Sequence, residues 1–273
     1  MRQDTKTNLL RYIEEIAKYA DDGEDNRSGD VHFWKIKPTM PTELVEYITT
    51  DCADSPSTKF ILLRTPTSRD EFFSVPHEIL EALRDDRRHP CAWFFRSRRL
   101  CNGQPEDDPC VSPMTKLTIL LCSMIVQLSN LVPEIYEDRT GALSAARFNQ
   151  LDHELQWATK CLGGLCKWIN DAFDIDKAIN IVKALTMVVP RGTFFIFERC
   201  DSIIGPFNDA LTAKFADLLA YLANPPEPER AWKTLYIDLG MSLHIYNLKE
   251  RVIPERFEQI DYPPGYQWHK HWE

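Results

Sequence analysis

Apolar residues along the chain follow two patterns, and the chain switches between them repeatedly. Over 6–20, Leu9, Leu10, Ile13, Ile16 and Ala17 recur on one side of a 3.6-residue period, which predicts an amphipathic helix. The runs 59–63 (KFILL), 91–95 (CAWFF), 193–197 (TFFIF) and 232–239 (WKTLYIDL) are short and almost wholly apolar. That is the pattern of strands buried on both faces. A shorter strand is predicted at 31–36. Helical patterns occupy the intervals: 41–50 opening on Pro41, 75–84 with Val75, Ile79, Leu80 and Leu83 on one side, and 114–131, which is strongly apolar. Further helices are predicted over 145–173, broken at Gly163-Gly164, over 176–189 with Asp174 or Asp176 as its cap, and over 210–222, stopped by Asn224-Pro225-Pro226. Segments 21–30, 64–71 and 96–113 read as polar loops, and 251–273 as a tail rich in proline and aromatic residues.

Helices alternating with all-apolar strands predict an α/β fold: three layers, a mostly parallel sheet flanked by helices, preceded by an N-terminal helical segment. The corresponding division is 1–57 for that segment, 58–240 for the α/β domain and 241–273 for a tail packing on it.

Composition narrows the partners. The net charge of −9 over 273 residues opposes a general nucleic-acid binder and opposes docking on an anionic membrane by charge alone. No apolar run approaches the roughly 20 residues of a membrane span; the longest, 117–126, is interrupted by Thr118, Cys122 and Ser123. The N-terminus lacks the pattern of a signal peptide, so a cytoplasmic location is expected. The eight cysteines form no CxxC and several lie in apolar runs, as reduced, buried thiols do. A basic group, Arg84, Arg87, Arg88, Arg96, Arg98 and Arg99, is followed by Glu106-Asp107-Asp108, and reads either as an anion site or as a solvated charged surface.

In parallel α/β sheets ligands sit at the carboxyl ends of the strands, which singles out the loops after Leu63, Phe197 and Leu239. There the order of features resembles the nucleotide-binding domain of STAND-type P-loop NTPases, the NACHT-like proteins of fungi in particular. A strand leads into a loop and helix (FILLRTPTSRDEFFSVPHEILEAL). A strand ending in aromatics and arginine follows (CAWFFRSR), then a helix (LLCSMIVQLSNLVP), a strand running into an acidic pair (FFIFERCD) and a strand where the family places its sensor segment (KTLYIDLG).

The resemblance implies a phosphate loop, GxxxxGK[ST], whose glycines bring backbone N–H groups to the phosphates, whose lysine reaches the β/γ oxygens and whose hydroxyl holds Mg²⁺. Its counterpart here is Arg64, Thr65, Pro66, Thr67, Ser68, Arg69, Asp70 and Glu71. Aligned on Pro66, Arg64 and Arg69 replace the glycines, Asp70 replaces the lysine and Glu71 the hydroxyl residue. Two carboxylates would then face a polyanion. One like-charge contact at ~4 Å and an effective dielectric near 20 costs on the order of 4 kcal/mol, about three decades of affinity.

The resemblance also assigns Glu198 to the acidic position that holds Mg²⁺ and Asp201 to the one that polarises water, which makes these two the candidate catalytic residues. With Asp238 they form a candidate carboxylate trio for a hard cation. The plainer alternative pairs Glu198 with Arg199 or Arg64 and lets Asp201 cap a turn. Cys200 lacks a histidine base, no GxSxG is present, and the His269/His271 pair lacks a third ligand nearby.

The function expected is therefore a pseudo-NTPase: a binding or regulatory module with no required cofactor, in which Mg²⁺ enters only if the trio converges. Neither flank has the length of a standard effector or repeat domain, so it would act through a protein partner, such as a full-length STAND relative. The alternative is a metal-dependent phosphoester hydrolase using Glu198, Asp201 and Asp238.

Overall fold

A computed structural model describes residues 2–20, 59–64, 79–80, 83, 89–94, 112–160, 173–198, 209–227, 232–238 and 250–261. In chain order its elements are β1 (Arg2–Thr5), α1 (Lys6–Ala17), β2 (Lys59–Arg64), β3 (Cys91–Phe94), α2 (Pro113–Leu131), β4 (Ile135–Asp138), α3 (Ala145–Lys160), α4 (Ile175–Thr186), β5 (Phe194–Glu198), α5 (Asp209–Ala223), β6 (Lys233–Asp238) and β7 (Phe257–Asp261). The chain forms two compact units: Met1–Gly23 with Arg96–Pro190 and Cys200–Leu218, and Glu24–Phe95 with Arg191–Arg199 and Leu219–Glu273. The strand predicted at 31–36 and the helix at 41–50 lie outside the described residues.

In the first unit, α1 begins where the Thr5 hydroxyl accepts the Asn8 N–H at 3.3 Å, and it buries Leu9, Ile13 and Ile16 at the expected spacing. α2 begins with Ser112 accepting the Thr115 N–H at 3.1 Å, with Pro113 in its first turn. It packs against α1 and α4 and is buried nearly all round. Its polar side chains fit because they bond back along the helix: Thr118 donates to the Met114 carbonyl at 2.8 Å and Ser123 to Ile119 at 2.9 Å. By length and composition alone α2 could cross a membrane, but 67% of its most apolar stretch is buried, as in the core helix of a folded domain. Asp174 caps α4 by accepting the Asp176 N–H at 3.2 Å.

Two short strands in this unit were not foreseen. β1 and β4 pair antiparallel, Arg2 opposite Asp138 and Thr5 opposite Ile135. Beyond β4 the chain turns on Asp138, whose carboxylate accepts the backbone N–H groups of Thr140, Gly141 and Leu143. Gly141 has φ +71°, a left-handed conformation that glycine adopts without steric cost. Ion pairs join the helices: Lys177 with Glu154 between α4 and α3, and Lys214 with Asp176 between α5 and α4. A hydrogen bond from Lys18 to Glu15 outweighs desolvation and raises the Lys18 pKa above its usual value.

The second unit is built on a five-stranded sheet in the order β3-β5-β6-β2-β7, parallel at every pairing. Successive residues alternate between its faces. One face carries Ile61, Leu63, Cys91, Phe194, Ile196, Leu235, Ile237 and Ile260, covered by Ile79, Leu80 and Leu83, with Ile79 and Leu80 helical. The other carries Phe60, Phe197 and Tyr236, whose rings stack at centroid separations of 6.4–6.5 Å, together with Phe195. On that face the Phe195 ring meets Trp232 edge-on at 6.0 Å, and the Trp232 indole N–H donates to the Leu222 carbonyl in the last turn of α5. The sheet is thus a parallel one with helical residues against both faces, consistent with the expected three-layer α/β architecture.

The fifth strand, β7, comes from the segment read as a tail. It lies beside β2 with Phe60 opposite Phe257 and Leu63 opposite Ile260. Its sequence, FEQID, mixes polar and apolar positions; among the described residues it is the last strand on its side of the sheet, with Gln259 exposed and Ile260 buried.

Candidate functional site

All five strands run the same way, so their carboxyl ends lie along one margin of the sheet. The order in which the chain visits them picks out one place on that margin. Among the described residues, the next strand after β2 is β3, at the far edge. From there β5, β6 and β7 follow in the opposite direction, the last step passing over β2. β2 and β6 are neighbours from which the chain departs to opposite sides. That reversal is a topological switch point, the place where open α/β sheets hold their ligands.

At this point the last residues of the two strands are register partners, Arg64 beside Asp238. Arg64 is also the partner of Asp261 in β7 on its other side. One strand further along, β5 ends in Glu198, which is only 3% exposed and stands beside Ile237 of β6. The strands whose loops the sequence singled out, β5, β6 and β2, are therefore consecutive neighbours.

Register also bears on the carboxylate trio. Glu198 and Asp238 lie on adjacent strands but one residue out of step, Glu198 at the level of Ile237. Because residues one step apart alternate between faces, the backbone assigns the two acids to opposite faces at the sheet's end. Asp201 lies outside the described residues, as do Thr65, Pro66, Thr67, Ser68, Arg69, Asp70 and Glu71, Cys200, the Arg96–Arg99 cluster and the His269/His271 pair. Among the described residues no group of three or more His, Cys, Asp or Glu side chains is placed to hold a metal ion. Cys91 and Cys122 are buried thiols, as expected for cysteines in apolar runs.

Sequence reasoning reached Arg64, Glu198 and Asp238 because each closes an apolar run. It missed Asp261, since nothing in VIPERFEQID announces a strand that pairs beside β2. These features define an α/β protein with a parallel five-stranded sheet and a charged switch point at its carboxyl margin. No family model, curated protein or solved structure matches the chain.

Proposed function

We propose that this chain is a catalytically degenerate, P-loop NTPase-like domain of the STAND or NACHT-like kind, a binding and regulatory module that works through a protein partner in the cytoplasm. The observation that carries this reading is the neighbourhood of β5, β6 and β2. Under the resemblance these are the acid strand, the sensor strand and the phosphate-loop strand. A nucleotide site needs all three to end together, and in a parallel sheet with this order they do. The switch point falls at Arg64, where the phosphate loop would begin.

The degeneracy rests on charge. The segment that leaves Arg64 carries Asp70 and Glu71 where a lysine and a hydroxyl would meet phosphate and Mg²⁺. A scaffold that keeps the strand arrangement and reverses the charge of its anion-binding loop is suited to recognition, and a full-length relative of the same architecture is the partner we favour. The alternative hydrolase, which needs Glu198, Asp201 and Asp238 on one Mg²⁺, gains nothing from a register that sets Glu198 beside Ile237.

Isothermal titration with Mg-ATP and Mg-GTP tests the reading. No heat of binding is expected at micromolar nucleotide. Micromolar affinity that disappears in Asp70→Ala would overturn it, because Asp70 would then be assisting phosphate binding.

A further inference from the structure

The last turn of α5 meets the chain again at two places, and both lie at the amino margin of the sheet, away from the switch point. The first is the bond from the Trp232 indole to the Leu222 carbonyl. Trp232 immediately precedes β6, so this bond fixes where β6 enters the sheet. The second is made by Asn224, whose backbone N–H closes the helix on the Ala220 and Tyr221 carbonyls at 2.9 and 3.2 Å. Its side chain reaches the segment ahead of β7: Nδ2 donates to the Arg251 carbonyl at 3.1 Å, and Oδ1 accepts the Ile253 N–H at 3.2 Å.

A carboxamide offers the same donor and acceptor as a peptide group. Bonding to the carbonyl before a residue and to the N–H after it is how a strand joins a parallel neighbour. Asn224 therefore stands in for one residue of a strand beside Val252. Val252 is 3% exposed, while Arg251 and Ile253 on either side of it are exposed, the alternation of an extended segment. One 3₁₀ turn, Pro254–Arg256, in which the Arg256 N–H donates to the Ile253 carbonyl at 2.8 Å, then leads directly into β7 at Phe257. Pro225 contributes from the other end, because a residue before proline is disfavoured in the helical region, which limits the conformations open to Asn224.

β6 and β7 are the strands on either side of β2. We infer that the C-terminal turn of α5 is a clip that holds the entries of these two strands together, with the Leu222 carbonyl as one grip and the Asn224 carboxamide as the other. Both grips belong to one helix end, so loosening either frees that turn and weakens the other. The clip is a conformational device: it makes the end of α5, the start of β6 and the approach to β7 open as one unit. It depends on no ligand at the switch point, and it stands whether or not the nucleotide reading does.

The test is a double-mutant cycle on the full chain, read by amide hydrogen exchange at Ile253. Asn224→Ala should speed exchange there by about two- to ten-fold, the range for one lost hydrogen bond. Trp232→Phe, which leaves Asn224 and 251–253 unaltered, should also speed exchange at Ile253. It should add nothing further in the Asn224→Ala background. An Ile253 amide that exchanges at the parental rate in Asn224→Ala would overturn the bridge from Asn224. Exchange at Ile253 unchanged by Trp232→Phe, or single effects that multiply in the double variant, would overturn the clip and leave two separate bonds. Far-UV circular dichroism checks that each variant folds. If Asn224→Ala does not, Asn224→Ser, which cannot bond both groups, gives the same cycle.

Discussion

Trp232 ties the end of α5 to the sheet, and replacing it tests how the connection between β5 and β6 is anchored. Its side chain is 2% exposed, its N–H donates to the Leu222 carbonyl, and its ring lies edge-on to Phe195 at 6.0 Å and beside Tyr221 at 6.3 Å. Leu222 is itself fully buried, so the carbonyl has no ready access to water once the indole is gone. Trp232→Phe keeps an aromatic ring and removes the donor. The lost bond and the stranded acceptor together cost about 1.5–3 kcal/mol. Trp232→Ala also loses the ring contacts and opens a cavity, raising the cost to about 3–5 kcal/mol. With a urea m-value of about 3 kcal/mol/M, the phenylalanine variant should unfold about 0.5–1 M earlier by far-UV circular dichroism, with m unchanged. Amides in 219–223 should lose hydrogen-exchange protection before those of β5. If Trp232→Phe matches the parent within about 0.5 kcal/mol while Trp232→Ala falls, ring packing alone holds the helix end. If both match the parent, α5 is not anchored on that face, and the two-faced covering of the sheet is wrong.

Three other outcomes follow from the same geometry. Mg²⁺ or Mn²⁺ at millimolar concentration should leave the melting temperature within about 1 °C, because Glu198 and Asp238 are out of step; a rise of several degrees that vanishes in Glu198→Gln would restore the metal site. Gly141→Ala should destabilise by about 1 kcal/mol in urea unfolding, from the left-handed backbone alone, since nothing lies within 4 Å of the added methyl; an unchanged midpoint would contradict that conformation. Leu121→Ala, at a fully buried position of α2, should cost about 2–5 kcal/mol, and a cost below 1 kcal/mol would mean that α2 is not a core helix.

What the sequence made legible follows from burial. β2, β3, β5 and β6 each coincide with a short apolar run to within a residue, because a strand of a parallel sheet covered on both faces meets apolar neighbours on either side; this holds even for β3, at the sheet's far edge, whose residues are mostly buried. α1, α2 and α4 were equally plain, with Asp174, one of the two caps foreseen, found in that position and Asp176 in the first turn. The strands that escaped notice, RQDT, IYED and FEQID, are the two partners of a small ribbon and the edge strand β7. Each is only four or five residues long and half polar, and so does not differ from a loop by composition. Register is a further step removed. That Glu198 stands beside Ile237, and that Arg64 lies between Asp238 and Asp261, depends on pairings between segments up to about 200 residues apart, which no local pattern encodes.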